Sequence, residues 1–197
     1  MSLATLKEVL EIAERTNTAI PGFNIDNIEI PEAIMEAAEV ENCPVILTIG
    51  QGAINAGGLR HLPDVVRRIA ESSSVPVVMH LDHSESYEQV IACLRAGFTS
   101  VMYDGSHYPF EENVRESQAV VRAAHAVGVS VECELGAISG VEDGISHSNT
   151  NLVDLDEVKR FIAVVNCDAL AVVAIFIAAA LKDQKKTRGK TRLTRML

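Results

Sequence analysis

An α/β fold on a parallel sheet is what this 197-residue sequence predicts, and three observations carry the prediction. Short, β-rich apolar segments begin near residues 19, 44, 75, 99, 129 and 168, about 30 residues apart. Stretches with helical spacing fill the intervals, which is the rhythm of strand–helix–strand units with right-handed crossovers. Polar residues gather where segments end, at Asn24, Asp82-His83 and Asp104. In α/β sheets and barrels, chemistry collects at that end of the strands. Six units make either a barrel that stops short of eight or an open doubly wound sheet, and periodicity alone leaves both open.

Each element has its own warrant. Leu6–Thr16 places Leu6, Val9, Leu10 and Ile12-Ala13 at helical spacing, and Ala19–Asn24 is a short strand ending in Asn24. Pro31 opens a helix through Val40, since proline lacks only an N–H that the first turn leaves unpaired anyway. Pro44–Ile49 is the second strand, followed by a Gly-rich loop over Gly50–Gly58 and a helix over Leu62–Glu71. Val75–Leu81 is almost continuously apolar, as suits a strand buried on both faces, and it delivers a carboxylate and an imidazole, Asp82 and His83, to the sheet rim. Tyr87–Ala96 is a helix stopped by Gly97, and Thr99–Tyr103 is a strand that runs into Asp104-Gly105-Ser106. Pro109–Gly128 is a long helix whose first turn carries Glu111 and Glu112, as its dipole favours. Val129–Leu135 sets Glu132 and Glu134 on one face at i, i+2. A polar loop, Gly136–Asn151, leads to the helix Asp154–Val165, and Asp168–Phe176 is the sixth strand.

Composition narrows the function. Hydrophobic residues make up 48%, which argues for a packed globular core. No apolar run reaches the roughly 18–20 residues of a membrane span, and Met1-Ser2-Leu3 leads into an amphipathic pattern rather than a signal peptide. The cysteines Cys43, Cys93, Cys133 and Cys167 lie far apart, as expected of reduced thiols in a cytoplasmic protein. Net charge is −10, but of 17 Lys and Arg residues seven lie between Lys182 and Arg195 with a single Asp. Residues 1–181 therefore hold ten basic against 26 acidic residues, a balance that excludes a nucleic-acid partner. A phosphorylated ligand would need local donors or metal ions against this field.

Several polar residues also have plain structural readings. An Asp-His pair at a strand end serves equally as a hydrogen-bonded loop pair, and Asp104 before Gly105-Ser106 suits the start of a turn. Glu132 and Glu134 suit a buried pair held by a Lys or Arg, and Glu132 is read as structural. His80, inside a strand, is read as a core histidine; His61, His107, His125 and His147 are read as loop or helix-surface residues. Before the basic tail the only lysines are Lys7 and Lys159, both on predicted helices, which disfavours a Schiff-base mechanism.

The segments HLDHSESYEQVIACLRAGFTSVMYDGSHYPFEENV and GVSVECELGAISGVEDG, with the PGFNIDN start, resemble the class II, metal-dependent ketose-bisphosphate aldolases over residues 4–174. That family includes the fructose- and tagatose-1,6-bisphosphate enzymes of carbohydrate metabolism. The resemblance implies a (β/α)8 barrel of the TIM type, incomplete here with about six βα units, and a zinc site at its C-terminal rim. It implies cleavage of a ketose bisphosphate to dihydroxyacetone phosphate and glyceraldehyde 3-phosphate, and a dimer or tetramer. His83 matches a zinc ligand, and Asp104 and Glu134 match positions used for a second or alternative cation. Asp82 matches the acid/base that handles the C4 hydroxyl proton. Glu142 matches a loop glutamate that moves a proton at the dihydroxyacetone-phosphate carbon, on a loop whose Gly136, Gly140 and Gly144 would let it close over substrate. Asn24 matches a substrate-contacting asparagine.

Two segments depart from the family pattern. ILTIGQGA has Gly50 near the place where the family commonly carries Ser or Thr. At the other end, DALAVVAI is followed by FIAAALKDQKKTRGKTRLTRML instead of a Gly-x-x-His-Gly segment, and no histidine follows His147. The resemblance thus predicts a barrel-like domain over residues 1–177 and a basic tail over 178–197 that is disordered or non-native, from an altered reading frame or a shortened chain. A native tail that binds an acidic partner is the alternative. With one matched zinc histidine where catalytic zinc typically has three protein ligands, the competing expectation is an inactive barrel, or a binding subunit completed by a partner chain across its open sheet edges.

Overall fold

The computed structural model describes residues 3–136, 140–142, 145–147 and 153–172, with 140–142 and 145–147 defined by their backbone alone. Six parallel strands form one sheet in the order β1 (Gly22–Asn24), β2 (Val45–Ile49), β3 (Val77–Ser84), β4 (Ser100–Tyr103), β5 (Ser130–Leu135) and β8 (Ala169–Val172). Between β5 and β8 an antiparallel hairpin pairs β6 (Gly140–Glu142) with β7 (Ile145–His147). The helices are α1 (Leu6–Thr16), α2 (Ile30–Val40), α3 (Gln51–Asn55), α4 (Leu62–Ser72), α5 (Tyr87–Ala96), α6 (Phe110–His125) and α7 (Leu155–Val165), with a 3-10 turn over Gly58–Arg60. The result is a curled, incomplete TIM barrel. The proposed tail, 178–197, and the expected strand residues beyond Val172 lie outside the described residues.

Local sequence accounts for most boundaries. Thr5 and Glu8 form a reciprocal capping box on α1, Ser86 caps α5 and Asp154 caps α7. Gly97 ends α5 at φ +89°, a left-handed position that glycine takes without strain. Two expectations change. The Gly-rich stretch Gly50–Gly58 is not an open loop, because Gly50 starts the short helix α3 and the 3-10 turn follows. The polar loop Gly136–Asn151 contains the β6–β7 hairpin.

The two-residue alternation of strands sorts the core into two faces. Val45, Leu47 and Ile49 of β2, Val77, Met79 and Leu81 of β3, Val101 and Tyr103 of β4, and Val131, Cys133 and Leu135 of β5 pack outward against the helices. Ile46 and Val78 point the other way and meet Leu6, Val9 and Ala13 of α1. The Ala4 N–H donates to Val77 O, and the Lys7 N–H donates to Ser130 Oγ, both at strand starts. Helix α1 therefore closes the N-terminal end of the barrel interior, and the opposite end is left for polar side chains.

That closed end is also pinned electrostatically. Asp168, just before β8, accepts from the Val131 N–H at 2.9 Å and pairs with His125 Nε2 at 2.7 Å and Lys7 Nζ at 3.7 Å. His125 is thus a helix-surface residue with a partner. Asp168→Ala would strip the Val131 N–H of its acceptor and is expected to cost about 1–3 kcal/mol in urea denaturation; an unchanged midpoint would contradict the pin. Gly105 after β4 is pressed against the side-chain amide of Asn113, where a Cβ would collide. Gly105→Ala is expected to lower stability by about 1–3 kcal/mol, read as a fall in calorimetric Tm, through overpacking of this joint.

Candidate metal centre and active-site rim

Asp82, Asp104 and Glu134 follow the inward parity of β3, β4 and β5, the parity of Val78 and of Ser100, His80 and Glu132 below them. His83 does not. As the neighbour of Asp82 in an extended strand it would point out among the helices. The pairing of β3 with β4 shifts register between Leu81 and Ser84, and His83 takes φ +45° there. Among the described residues, the other non-glycine positions with positive φ (Asn17, Asn42 and Asn166) are asparagines at or just after helix ends, whereas His83 lies within a strand. Such a conformation costs on the order of 1–3 kcal/mol and persists only where surroundings impose it. This bulge turns the imidazole inward, so two consecutive residues reach one site.

The inward imidazole meets three carboxylates. His83 Nδ1 donates to Asp104 Oδ2 at 3.1 Å and lies 3.6 Å from Glu134 Oε2, while Nε2 stands 3.9 Å from Asp82 Oδ1. One ligand-type atom each from His83, Asp104 and Glu134 falls within 4.8 Å of the others, a grouping able to hold a metal ion. The Asp104 hydrogen bond, aided by the charges of Asp82 and Glu134, raises the His83 pKa to about 10 against the pull of burial. Burial opposes the charge on Asp104, but hydrogen bonds from His83 and Ser106 hold its carboxyl below the usual range. Both charges are therefore fixed by each other.

Beneath this charged layer lies a neutral one. His80 is a core histidine, as its position within the strand predicts. Its Nδ1 shares a 2.8 Å hydrogen bond with Ser100 Oγ, and burial drives its pKa down to about 3. Glu132 Oε2 is 3.6 Å from His80 Nε2, and burial with the nearby Asp82 charge pushes Glu132 up to about 8. Glu132 and Glu134 are thus not a pair around one cation: Glu132 faces His80, and Glu134 faces His83.

Two positions that the sequence reading passed over complete the rim. Asn113 of α6 is buried; its Nδ2 donates to Glu134 O at 2.9 Å, and its Oδ1 accepts from Ser117 Oγ at 2.9 Å. It joins the loop after β4 to the end of β5. Gln51 Nε2 donates to the carbonyls of His83 at 3.0 Å and Asp82 at 3.3 Å. The signal for Asn113 was an Asn and a Ser four residues apart on a face shared with Val114 and Val121. Gln51 gave none. Asp104 does initiate a turn, accepting from the Ser106 N–H, while also facing His83. Asn24 ends β1 on the same rim, in register with Thr48 of β2, and is exposed. Glu142 is placed on β6 by its backbone, and its side chain lies outside the described residues.

The family model for class II fructose-bisphosphate aldolase matches residues 4–175. The fructose-bisphosphate aldolase of Thermus caldophilus is 45% identical over 172 residues, which are 86% of this chain and 56% of that enzyme. The fructose-bisphosphate aldolase of Geobacillus stearothermophilus is 45% identical over 189 residues, 94% of this chain and 66% of that one. Among solved structures, the YdjI aldolase of Escherichia coli K12 superposes with a TM-score of 0.77 at 30% identity, covering 87% of this chain and 62% of that one. The chain thus spans a little over half to about two thirds of the length of these relatives. With that match along nearly its whole length, and with the same barrel architecture, the chain belongs to the class II fructose-bisphosphate aldolase family.

Proposed function

We propose that this chain carries the site for metal-dependent aldol cleavage, and the reverse condensation, of a ketose 1,6-bisphosphate. The products would be dihydroxyacetone phosphate and glyceraldehyde 3-phosphate. The names of the relatives favour fructose bisphosphate, with tagatose bisphosphate as the second sugar to test. The observation that carries the reading is the convergence of His83, Asp104 and Glu134, with the Asp82 carboxylate against the same imidazole.

These residues fit a divalent cation. One imidazole, its ring proton displaced as the metal binds, and two carboxylates are donors that zinc accepts, and three protein ligands is the number typical of a catalytic zinc site. The grouping also concentrates negative charge, which a single imidazolium offsets only in part. When bound, zinc supplies Lewis-acid polarisation of the ketose C2 oxygen. A second divalent or monovalent cation would share Asp104 and Glu134.

The chain's own groups then divide the proton work. Asp82 takes the C4 hydroxyl proton in cleavage and returns it in condensation. It stands on the inward face with His80 Nε2 4.0 Å behind it, and burial keeps that imidazole neutral, so His80 does not neutralise the Asp82 charge. Glu142, carried on the β6–β7 hairpin, is assigned the proton at the dihydroxyacetone-phosphate carbon, and Asn24 a substrate hydroxyl. The barrel domain of this reading is 1–177, with 178–197 as a separate tail.

A coupled spectrophotometric assay with both sugars, run with zinc and again after chelation, tests the reading. Chelator-sensitive cleavage is expected, and Asp82→Asn should lower turnover at least about 100-fold, the usual scale of a lost acid/base group. A folded, monodisperse, zinc-loaded sample without turnover on either sugar would reject it. Zinc competition against a chromophoric chelator tests the ligands separately. His83→Ala should lose stoichiometric binding, and retention of the unsubstituted affinity would remove His83 from the centre.

A further inference from the structure

The inward turn of His83 needs a restraint, because a histidine at φ +45° inside a strand has an ordinary extended conformation open to it. The parallel ladder of β2 on β3 runs to the pair Ile49–Leu81 and ends there, since the chain after Ile49 turns at Gly50 into α3. The next carbonyls of β3 are those of Asp82 and His83. Both accept from one donor, Nε2 of Gln51, the first residue of α3. A side-chain amide here takes the place of the strand that has left. On the other side of the bulge, β3 pairs again with β4 at Ser84–Tyr103, and the Asp104 N–H donates to Ser84 O.

We propose that Gln51 is the positioning residue that holds the Asp82-His83 bulge, and so aims the His83 imidazole at Asp104 and Glu134. The inference rests on the metal-centre reading only for its consequence in affinity; the aim of the ring is a property of the metal-free chain. Gln51 reaches main chain alone in these two bonds, so any residue without a donor at that point loses them. Without the clamp, the His83 peptide can relax toward extended geometry, which swings the ring away from the two carboxylates. Partners that orient a metal-binding histidine typically matter by about 10–100-fold in metal affinity.

The test compares the unsubstituted chain with Gln51→Leu, which keeps bulk and removes the amide, and Gln51→Glu, which keeps shape and replaces the donor by an acceptor. Two readouts are taken. In the metal-free protein, NMR of the His83 ring follows the hydrogen-bonded Nδ1–H that faces Asp104. In the same samples, competition with a chromophoric chelator measures zinc affinity. Both variants are expected to lose the protected ring N–H and to bind zinc about 10–100-fold more weakly. Asp168→Ala, destabilised at the far end of the barrel, should keep both signals. Should Gln51→Leu fail to fold, Gln51→Glu carries the comparison. An unchanged ring signal with zinc affinity within a factor of about two would overturn the proposal, since a merely structural residue alters stability and not aim. If the unsubstituted chain binds no zinc, the metal-centre reading falls, and the ring signal still decides the role of Gln51.

Discussion

A single break in the alternation of β3 is the constraint on which the rim depends. A regular strand sends Asp82 into the barrel and His83 out among the helices, where an imidazole would replace apolar contacts. The bulge reverses that for one residue and leaves both flanks in pairing, at Leu81 and at Ser84. The carboxylates of Asp82, Asp104 and Glu134 are arranged around the result. Asp104 and Glu134 come from the next two strands on regular inward parity, so they converge on His83 because it has been turned and not because they have.

The charges are then sorted by depth. The acid-rich chain brings three carboxylates, Asp82, Asp104 and Glu134, around one imidazole at the open end of the barrel. Just below, burial makes the opposite choice, keeping His80 uncharged and pushing Glu132 toward its protonated form. Among the described residues Glu132 Oε2 finds no hydrogen-bond partner, so ionisation there would be doubly costly. A neutral floor beneath a charged rim confines cation attraction to the layer of Asp82, His83, Asp104 and Glu134. Rim carboxylates held this close are repelled by one another and eased by a cation, which joins the electrostatics of the site to its chemistry.

The scaffold keeps the two ends of the barrel separate. Helix α1 fills the N-terminal mouth with Leu6, Val9 and Ala13, and Asp168 ties β5, α6 and α1 together at that end. At the other end Asn113 couples the loop after β4 to β5 through α6, a joint tight enough that Gly105 has no room for a side chain. The N-terminal end is thus closed by apolar packing and the Asp168 pin, and the polar groups converge at the C-terminal end, where a TIM barrel carries its chemistry.

By itself the sequence determined what depends on near neighbours. Helical and strand periods, the stop at Gly97, and the delivery of Asp82, His83 and Asp104 to one rim are legible from spacing, and the long motifs around them carry the family and, with it, the assignment of Glu134. It also marked His80 as core and Glu132 as structural, since both lie inside apolar strands. Tertiary structure decided the rest. The hairpin within Gly136–Asn151 and the short helix after Gly50 interrupt stretches whose glycines suggested loop. The turning of His83, its clamp by Gln51 some 31 and 32 residues away, and the Asn113 bond to Glu134 at a separation of 21 exist only once strand order and register are set. Hydrogen bonds of that range leave no period in the chain, because the donor and its acceptor become neighbours only when the sheet has curled.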